Sequence, residues 1–474
     1  MSDSTRPFAC TNGSNIPWLA TIPADWGIAG SKRLFAESKE KAWPNDPQLS
    51  ATQSHGVILQ EEYERIVGRK VVRIVQNLDK RRHVEKDDFV ISMRSFQGGL
   101  ERAWCQGAIR SSYVVLKPSA KVWVPYFAHF FKSHPYIQAL RATSNFIRDG
   151  QDLSFSNFCM VDLPVAPMEE QKVIANYLDA HVRIVNKFIR NRRRLIEVLN
   201  EQKQAVIEHA VNRGLNPNVK LKPSGIDWLG DVPTDWTVKR FKVAVQIRSG
   251  QVDPKLDQYR QSILISPDHI EKGTGALLQR VTAAEQGAIS GKYLVKTGEL
   301  IYCKIRPALR KAVIAPCDCL CGADMYPLLP SQDLLPEYLL RLILAPRATR
   351  YLVECSMRVA MPKVNREALG NFWLCYPDKF TQATILDAIE AELAPLNAAT
   401  QRAQGEIDLI REYRTRLIAD VVTGKLDVRH LAPPPGSLEA EELAGIEADE
   451  SLDDESAEED ADLVEETFDA DAEN

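Results

Sequence analysis

The sequence lacks long apolar runs, a secretion signal and a paired set of cysteines. No run of apolar residues approaches the length of a membrane span, and residues 1–10 lack the basic and apolar regions of a signal peptide. Nine cysteines, an odd number, are scattered over 474 residues, which is typical of reduced thiols rather than of a disulfide framework. We therefore expect a cytoplasmic protein with no membrane partner.

Motifs for catalysis are also absent. A methyltransferase that modifies an exocyclic amine is expected to carry Asp or Asn, two prolines and an aromatic residue in a row. The nearest string, Asn216-Pro217-Asn218, lacks the second proline and the aromatic residue. The spacing offers no set of Ser, His and Asp, or of Cys and His, for nucleophilic catalysis. The sequence therefore predicts no catalytic residue in this chain.

Two patterns bear a weak resemblance to metal sites. Asp268 and Glu271, followed by a lysine, loosely resemble the Mg²⁺ site of a nuclease, but the second acidic residue and the lysine are adjacent, which favours a polar loop. Cys317, Cys319 and Cys321 alternate, so a strand would carry all three thiols on one face. Zinc sites more often separate two cysteines by two residues, which favours buried thiols over zinc. We expect no bound metal.

Charge is distributed unevenly along the chain. Residues 437–474 contain no Lys or Arg and 18 of the 64 Asp and Glu. Residues 1–436 carry 59 Lys and Arg against the other 46 Asp and Glu, a formal charge of +13, although the whole chain is at −5. A basic body favours a polyanionic partner. The acidic segment cannot bury a core, and we expect it to be a disordered tail.

The rest of the chain contains a duplication. Residues 16–26 recur 210 residues later as residues 226–236, with six of eleven positions identical. A second match, at an offset of 211, joins eight positions, beginning with Gln171 and Gln382. The matching segments flank two central regions of similar length, which we call the middles. The sequences of the two middles differ.

Each copy of the second matching segment is predicted to form one long helix. Apolar residues follow alternating steps of three and four, which fits the seam of a coiled coil. The predicted seam consists of Ile174, Leu178, Val185, Phe188, Leu195, Leu199, Val206, Ile385, Ile389, Leu396, Ile410 and Leu417. Pro395 is expected to kink or interrupt the first turns of the second helix.

An ordinary core helix is the alternative interpretation of either apolar stripe. A helix of about 45 residues would be roughly 65 Å long, too long to lie buried in one small domain. Two copies in the same register, each after a globular segment of equal size, favour two helices paired with each other as a spacer.

The two middles combine short β-rich runs with helical stretches, so the predicted fold class is mixed α/β (α+β). The predicted segments are residues 14–160 for the first domain with its frame, 168–213 for the first long helix, 226–371 for the second domain, 379–423 for the second long helix and 437–474 for the tail.

Each middle also carries a group of cations and amides near glycines. Arg can bond the edge of guanine and Gln that of adenine, while Lys suits phosphates. The candidate DNA-binding residues are Arg94, Gln97, Arg102, Arg110 and Arg148 in the first domain and Lys304, Arg306, Arg310 and Lys311 in the second. Any one of them taken alone is as well explained as a solvated surface charge.

The duplication suggests a way of reading DNA. Dimeric DNA-binding proteins use equal halves and bind palindromes, with a spacing set by protein geometry. One chain with a repeated frame and two different domains keeps that geometry while each half reads another sequence. The expected target is bipartite and asymmetric, with an unread spacer.

At the motif level, the chain resembles the specificity subunit of type I restriction-modification systems over roughly residues 14–428. The motifs that carry the resemblance are Glu169-Glu170-Gln171, residues 209–215, residues 224–230 with Pro233 and Trp236, and residues 417–429. Residues 298–307 and 323–327 resemble one subtype of target recognition domain. The second helix departs from the family pattern, because residues 378–382 replace the usual proline-rich approach and Glu-Gln pair, which leaves its start open.

The resemblance implies two target recognition domains separated by two long helices that form an antiparallel coiled coil, related by a pseudo-twofold repeat. It also implies a subunit without catalysis that docks two methyltransferase subunits and, in the full complex, restriction subunits that translocate and cut DNA. The chain itself would hold no cofactor, because S-adenosylmethionine, ATP and Mg²⁺ would belong to those partners. A freestanding nuclease and a scaffold that binds only proteins are the alternatives.

Overall fold

The computed structural model describes residues 6–68, 70–71, 80–93, 95–143, 153–356 and 362–431. The predicted tail and the candidate residues Arg94 and Arg148 lie outside these ranges. The chain divides into two compact units, which we call unit 1 (Met1–Arg193 with Gln404–Asn474) and unit 2 (Arg194–Ala403). Both contain helices and strands, so the predicted mixed α/β class is confirmed.

The strands before the first long helix are β1 (Arg6–Pro7), β2 (Thr11–Ile16), β3 (Leu19–Pro23), β4 (Gly27–Gly30), β5 (Phe35–Ser38), β6 (Leu49–Thr52), β7 (Gly56–Leu59), β8 (Arg82–Val84), β9 (Phe89–Ile91), β10 (Glu101–Arg102), β11 (Gly107–Ile109), β12 (Val114–Pro118) and β13 (Asp162–Val165). The helices of this part are α1 (Ser31–Leu34), α2 (Gln60–Val67), α3 (Ser95–Gly98), α4 (Val124–Phe131), α5 (His134–Ala142) and α6 (Phe155–Cys159).

The first long helix, α7, spans Met168–Arg213. It is followed by strands β14 (Leu221–Pro223), β15 (Asp231–Pro233), β16 (Thr237–Arg240), β17 (Val245–Ile247), β18 (Gln251–Val252), β19 (Leu264–Ile265), β20 (Lys292–Val295), β21 (Leu300–Cys303), β22 (Ala312–Ile314), β23 (Cys319–Cys321), β24 (Met325–Pro330) and β25 (Trp373–Tyr376). The accompanying helices are α8 (Phe241–Ala244), α9 (Asp257–Arg260), α10 (Pro336–Leu344), α11 (Pro346–Ser356) and α12 (Arg366–Asn371). The second long helix, α13, spans Lys379–Val422, and β26 (Leu426–Asp427) follows it.

The two units contain a four-stranded sheet of the same topology. The strand order is β10-β9-β12-β5 in unit 1 and β22-β21-β24-β17 in unit 2. All neighbours in both sheets are antiparallel, and the sequence order of the strands matches position by position. The two middles, whose sequences match poorly, therefore share one scaffold.

The scaffold is surrounded by equivalent elements in the two units. A strand pair, β4 with β13 in unit 1 and β16 with β25 in unit 2, joins the start and the end of each domain, and its first strand precedes a short helix and the edge strand of the sheet. Two helices, α4 and α5 or α10 and α11, follow its last strand, and their aromatic and aliphatic side chains fill the core. Unit 2 differs by a second four-stranded sheet, β18-β20-β23-β19, and unit 1 by the hairpin of β6 with β7 and the pair of β8 with β11.

The start of each long helix is fixed by a glutamine from the repeated pattern. Gln171 is buried and donates hydrogen bonds from Nε2 to the carbonyls of Lys121 and Ala166, while its Oε1 accepts from the N–H of Trp123 at 2.8 Å. Trp123 is the residue that precedes α4, so the amide joins α7 to the domain before it.

Gln382 makes the same contacts in unit 2. Its Nε2 donates to the carbonyls of Asp333 and Pro377, and its Oε1 accepts from the N–H of Leu335, which precedes α10. The identity at this position in the repeat thus has a structural reason.

In each unit a tyrosine of the globular part also binds the end of a long helix. In unit 1 the hydroxyl of Tyr126 donates to the carbonyl of Val422, near the end of α13, at 2.9 Å. In unit 2 the hydroxyl of Tyr338 donates to the carbonyl of Val211, near the end of α7, at 3.0 Å. Each domain therefore contacts the start of the helix that follows it and the end of the other helix.

Within unit 1 the first half of α7 packs against the second half of α13. Ile174 and Leu178 share a buried cluster with Leu417 and Val421. Polar contacts join the same helices, with Arg192 to Glu406 at 2.7 Å and Arg414 Nη1 to Asn186 Oδ1 at 2.9 Å. Because α7 and α13 run in opposite directions here, this half of the pair is antiparallel.

Within unit 2 the second half of α7 and the first half of α13 belong to one core. Ile207 and Val211 share a buried cluster with Ile385, Ile389 and Leu393. The Lys203 Nζ donates to the Thr400 hydroxyl at 2.8 Å, which links the helices further along.

Not every predicted seam residue is buried. Ile174, Leu178, Val185, Leu199, Ile385, Ile389 and Leu417 are buried, and Phe188, Val206, Leu396 and Ile410 are half-buried. Leu195 is 38% exposed. At two of the half-buried positions, Phe188 and Val206, the next residue is more deeply buried, namely Ile189 and Ile207. The reason is that 3.6 residues per turn drift away from a strict seven-residue repeat, so the buried stripe moves to adjacent positions.

The expected interruption at Pro395 is wrong, because α13 is continuous through it. Pro395 and Ala391, whose carbonyl loses its helical donor, both lie on the exposed side, where water can satisfy that carbonyl.

The departure from the family pattern at the start of α13 is also explained. The carboxylate of Asp378 accepts from the N–H groups of Phe380 and Thr381 and so caps the helix.

Candidate nucleic-acid interface

The second predicted cation group lies in one loop of unit 2, and Gln97 of the first group lies in the equivalent loop of unit 1. The loop lies between the second and third strands, in chain order, of the four-stranded sheet. In unit 1 this loop joins β9 to β10 and contains α3, which packs on α5. In unit 2 it joins β21 to β22 and contains a single 3₁₀ turn, Pro307–Leu309, which packs on α11. We call these segments loop 1 (residues 92–100) and loop 2 (residues 304–311).

Three of the four cations in loop 2 are bound within unit 2. Lys304 is buried, donates from Nζ to the carbonyl of Ala323 at 2.6 Å and lies 5.2 Å from the ring centre of Tyr326. Lys311 donates to the carbonyl of Pro267 at 2.7 Å. Arg310 donates from Nη1 to Oε1 of Gln204 on α7 at 2.7 Å, and to the carbonyl of Leu344. These contacts direct toward the protein three of the cationic groups that the sequence assigned to DNA.

Arg306 is the exposed cation of loop 2. No partner for its side chain is found among the described residues. Its φ of 47° is left-handed, and its N–H donates to the carbonyl of Pro362 at 2.9 Å. The backbone therefore fixes the residue while the guanidinium faces solvent.

Two further cations, Lys363 and Arg366, lie near loop 2 and were not predicted from the sequence. Ile305 pairs with Lys363 in an isolated bridge, which brings the exposed Lys363 next to loop 2. Arg366, also exposed, donates to the carbonyls of Ile247 and Arg248, and its guanidinium lies 5.4 Å from the Tyr326 ring centre. No sequence signal could have found them, because more than 50 residues separate these segments.

In unit 1 the predicted residues are spread over several environments. Gln97 is exposed on α3. Arg102 donates from Nε and Nη2 to Oδ1 of Asp87 at 2.9 and 2.6 Å and lies 4.3 Å above the ring of Trp104. Arg110 is half-buried and close enough to Arg81 to lower the pKa of that guanidinium, although burial of Arg81 has the larger effect. These three side chains therefore have different environments.

An exposed tryptophan is a further candidate contact in unit 1. Trp43 is 48% exposed, and its ring stacks on His83 with the ring centres 4.0 Å apart. The buried His83 is held by Asp46, with Nδ1 and Oδ2 2.7 Å apart, and Asp46 also accepts from the N–H of Trp43. Lys41, which is exposed, pairs with Arg82 in the adjacent bridge. A fixed aromatic ring beside cations can contact sugars or bases.

Neither weak metal pattern forms a ligand set. Among the residues that the structure describes, no three His, Cys, Asp or Glu side chains are grouped as a metal site. The side chain of Asp268 is 97% exposed, and Glu271 accepts from the hydroxyl of Thr274. Cys319 and Cys321 are buried in a hydrophobic cluster, and burial raises the pKa of Cys319 to about 12. A thiol in such an environment stays protonated, unlike a metal ligand.

In the described part of the chain, no helix is both long and apolar enough to cross a membrane.

Comparison with known proteins agrees with the motifs. No model of a known protein family matches the chain. The chain is 28% identical over 290 residues to the type I restriction enzyme EcoDI specificity subunit of Escherichia coli, a match that covers 58% of this chain and 64% of that protein. It is 20% identical over 426 residues to the MjaVIII specificity subunit of Methanocaldococcus jannaschii, over 86% of this chain and 95% of that protein.

A solved structure shares the fold. A chain described in work on the assembly and conformational transition of a type I restriction-modification system aligns with a TM-score of 0.60 at 12% identity, over 85% of this chain and 99% of that one. The chain is a homologue of the specificity subunits of type I restriction enzymes, as its motifs predicted. Its relatives are named as specificity subunits, not as methyltransferase or nuclease subunits.

Proposed function

We propose that this chain is the DNA sequence-specificity subunit of a type I restriction-modification complex. It binds a bipartite, asymmetric DNA site through two different target recognition domains and has no catalytic activity of its own. One observation carries the proposal: two regions of unlike sequence form four-stranded sheets of the same strand order, and each is joined by an equivalent glutamine to the start of a long helix.

The difference between the loops supports an asymmetric target. Loop 1 contains the helical turn α3, whereas the 3₁₀ turn of loop 2 is bounded by Arg306 and Arg310, which both have left-handed backbone conformations. A shared scaffold with unlike loops reads two unlike sequences, since base choice depends on the side chains that reach base edges. The paired helices set the length of the unread spacer between the half-sites.

The long helices provide the docking surface for the partner subunits in this proposal. Ile184, Leu409 and Tyr413 lie on the helices of unit 1 with exposures of 66%, 69% and 48%. Large apolar side chains left in water on a helix are typical of a surface that another protein covers. The proposed partners are two methyltransferase subunits and the restriction subunits.

Catalysis and cofactors belong to those partners. S-adenosylmethionine, ATP and Mg²⁺ bind to the partner subunits, and the adenine to be methylated is flipped into a partner's pocket. The chain therefore contributes recognition and position. The absence of catalytic motifs in the sequence supports this division.

Genome-wide detection of methylated adenine in the native host, with the gene intact and deleted, tests the proposal. We expect deletion to remove methylation at one bipartite motif whose two halves differ. An unchanged set of methylated sites in a host that expresses the chain would contradict the proposal.

Two further measurements separate the alternatives. A freestanding nuclease would cut DNA when the purified chain receives Mg²⁺ alone, and replacing Asp268 would abolish cutting. A scaffold for proteins would bind DNA weakly at any salt concentration. Phosphate contacts instead predict an affinity that falls steeply as salt rises.

A further inference from the structure

Arg310 has an environment unlike that of a surface cation. Its guanidinium donates to Gln204 on α7 at 2.7 Å and to the carbonyl of Leu344 at the end of α10. The backbone of Gly273 passes so close that an added Cβ would lie 2.8 Å from Nη2 of Arg310. The N–H of Gly273 also donates to the carbonyl of Arg310 at 3.0 Å. Side chain and backbone of Arg310 are thus both enclosed by other elements of unit 2.

Loop 2 is held on both sides of Arg306. On one side, Lys304 is bound to the carbonyl of Ala323. On the other, Arg310 has a left-handed φ of 49°, and Lys311 is bound to the carbonyl of Pro267. Arg306 lies between these anchors with its guanidinium exposed.

The contact with Gln204 has a close counterpart that does not involve loop 2. Arg347, on α11, contacts Glu208 at 3.3 Å, one turn further along α7, and donates to the carbonyl of Leu229. Both arginines attach the second recognition domain to the same helix. Only Arg310 also belongs to the loop that presents Arg306. Replacing each arginine in turn therefore distinguishes attachment of the domain from positioning of the loop.

We propose that Arg310 is a positioning residue, which fixes loop 2 against Gln204 of α7 so that Arg306 meets the second half-site in a defined place. This inference rests on the proposed function. It assigns to Arg310 a role opposite to that suggested by its charge, because its guanidinium contacts protein and leaves DNA to Arg306. The helix that sets the spacer thereby also sets the position of the reading residue.

The test uses the full chain in the complex in which it purifies from its host. The probes are duplexes with the methylated motif, together with duplexes carrying one base change in either half. Two quantities are measured for each variant: the ratio of Kd values between changed and unchanged duplex, and the slope of log Kd against log salt. The variants are Arg306→Ala, Arg310→Ala, Gln204→Ala and Gln204→Glu, with Arg347→Ala as the matched control.

We expect Arg306→Ala to reduce discrimination in the second half-site by at least about 5-fold, the lower range for loss of a good base contact. Arg310→Ala and Gln204→Ala should reduce it in the same half while the salt slope stays unchanged. Gln204→Glu should retain discrimination, because a carboxylate accepts from the guanidinium at least as well as an amide does. Arg347→Ala should leave discrimination in both halves unchanged.

Three results would overturn the inference. A salt slope reduced by about one in Arg310→Ala, with discrimination intact, would make Arg310 a phosphate contact. Equal effects of Arg310→Ala and Arg347→Ala on discrimination would show that the contact between Arg310 and Gln204 only attaches the domain to α7. Discrimination unaffected by Gln204→Ala would exclude the helix from positioning, and this variant of a half-buried helix residue carries the test if Arg310→Ala does not fold. A wild-type complex that does not discriminate in either half would instead refute the proposed function itself.

Discussion

Gly424 shows how closely single residues control the ends of the long helices. It follows α13 with a φ of 73°, and an added Cβ would lie 2.3 Å from Cδ of Pro23. Gly214 follows α7 with a φ of 76°, and its added Cβ would lie 3.2 Å from Trp236. Pro23 and Trp236 both belong to the repeated frame segment. A glycine is required here both by the left-handed turn and by the close approach of that segment.

Replacing Gly424 by Ala should therefore destabilise unit 1 strongly. We expect about 1–2 kcal/mol from the left-handed backbone and about 1–3 kcal/mol from the clash with Pro23. The matched control is Gly230→Ala, at φ 64°, where nothing lies within 4 Å of the added Cβ. Hydrogen exchange of residues 16–26 measures the effect, and equal acceleration there by both variants would contradict the role of the clash.

The cysteines should differ sharply in reactivity. Burial raises the pKa of Cys319 to about 12 and that of Cys375 to about 12, so at pH 8 almost no thiolate is present. Cys10 and Cys355 are exposed. At pH 8 we expect a maleimide reagent to label the exposed thiols at least about 100-fold faster in the folded chain, and mass spectrometry of the labelled peptides checks this. Equal rates before unfolding would show that the buried thiols are accessible.

At the scale of elements, the two glutamines act as equivalent joints between a domain and a long helix. Gln171→Ala would leave the N–H of Trp123 and two carbonyls without their partner, which should cost about 2–4 kcal/mol. Gln382→Ala should cost a similar amount in unit 2. The exposed Gln202 on α7 is the control, with an expected change within about 0.5 kcal/mol. Urea unfolding followed by hydrogen exchange resolves the unit affected; a loss as large in Gln202→Ala would contradict the anchoring role.

Two residues of the second long helix distinguish packing within unit 1 from docking of a partner. Ile407 is 2% exposed, so Ile407→Ala should destabilise unit 1 by about 2–5 kcal/mol. Leu409, two residues away, is 69% exposed, and Leu409→Ala should change the unfolding free energy by less than about 0.5 kcal/mol. Under the proposed function, Leu409→Ala should instead weaken binding of the methyltransferase partner, which calorimetric titration measures. Unchanged affinity would remove Leu409 from the docking surface.

At the scale of the whole molecule, the chain repeats a scaffold and varies a loop. Both units keep the same strand order and the same glutamine and tyrosine contacts to a helix. Mutations can therefore change a loop without changing how its domain joins the long helices. Under the proposed function, this arrangement lets the two halves read different sequences.

The whole-molecule prediction concerns the independence of the halves. Arg306→Ala should relax recognition in one half-site only, and Arg94→Ala in the other, because each residue belongs to a different unit. The methylated motifs of a host carrying each variant check this directly. Equal loss in both halves, or no change, would count against these residues as base contacts.

Much of the organisation could be predicted because it follows from local pattern. The seven-residue spacing predicted two long helices, and the repeat predicted two equivalent frames. The family motifs predicted the relationship that the curated relatives confirm. The predicted interruption at Pro395 was wrong because the residue was considered without its surroundings. Pro395 lies on an exposed helix face, where water can bond to the carbonyl that loses its helical donor.

The candidate site was predictable only as a region. Charge and composition located loop 2, yet Lys304, Arg310 and Lys311 bind carbonyls and an amide within unit 2. Arg366 and Lys363 were invisible because they come from a distant segment.

The sequence by itself determined the duplication, the two long helices, the basic body and the family relationship, since each depends on residue identity and spacing along one chain. Only the tertiary structure decided which cations are free, that two dissimilar middles share one sheet, and which helix end each domain contacts. Those properties depend on which distant backbone carbonyls and side chains come within hydrogen-bonding distance, and that is set by the packing of the folded chain.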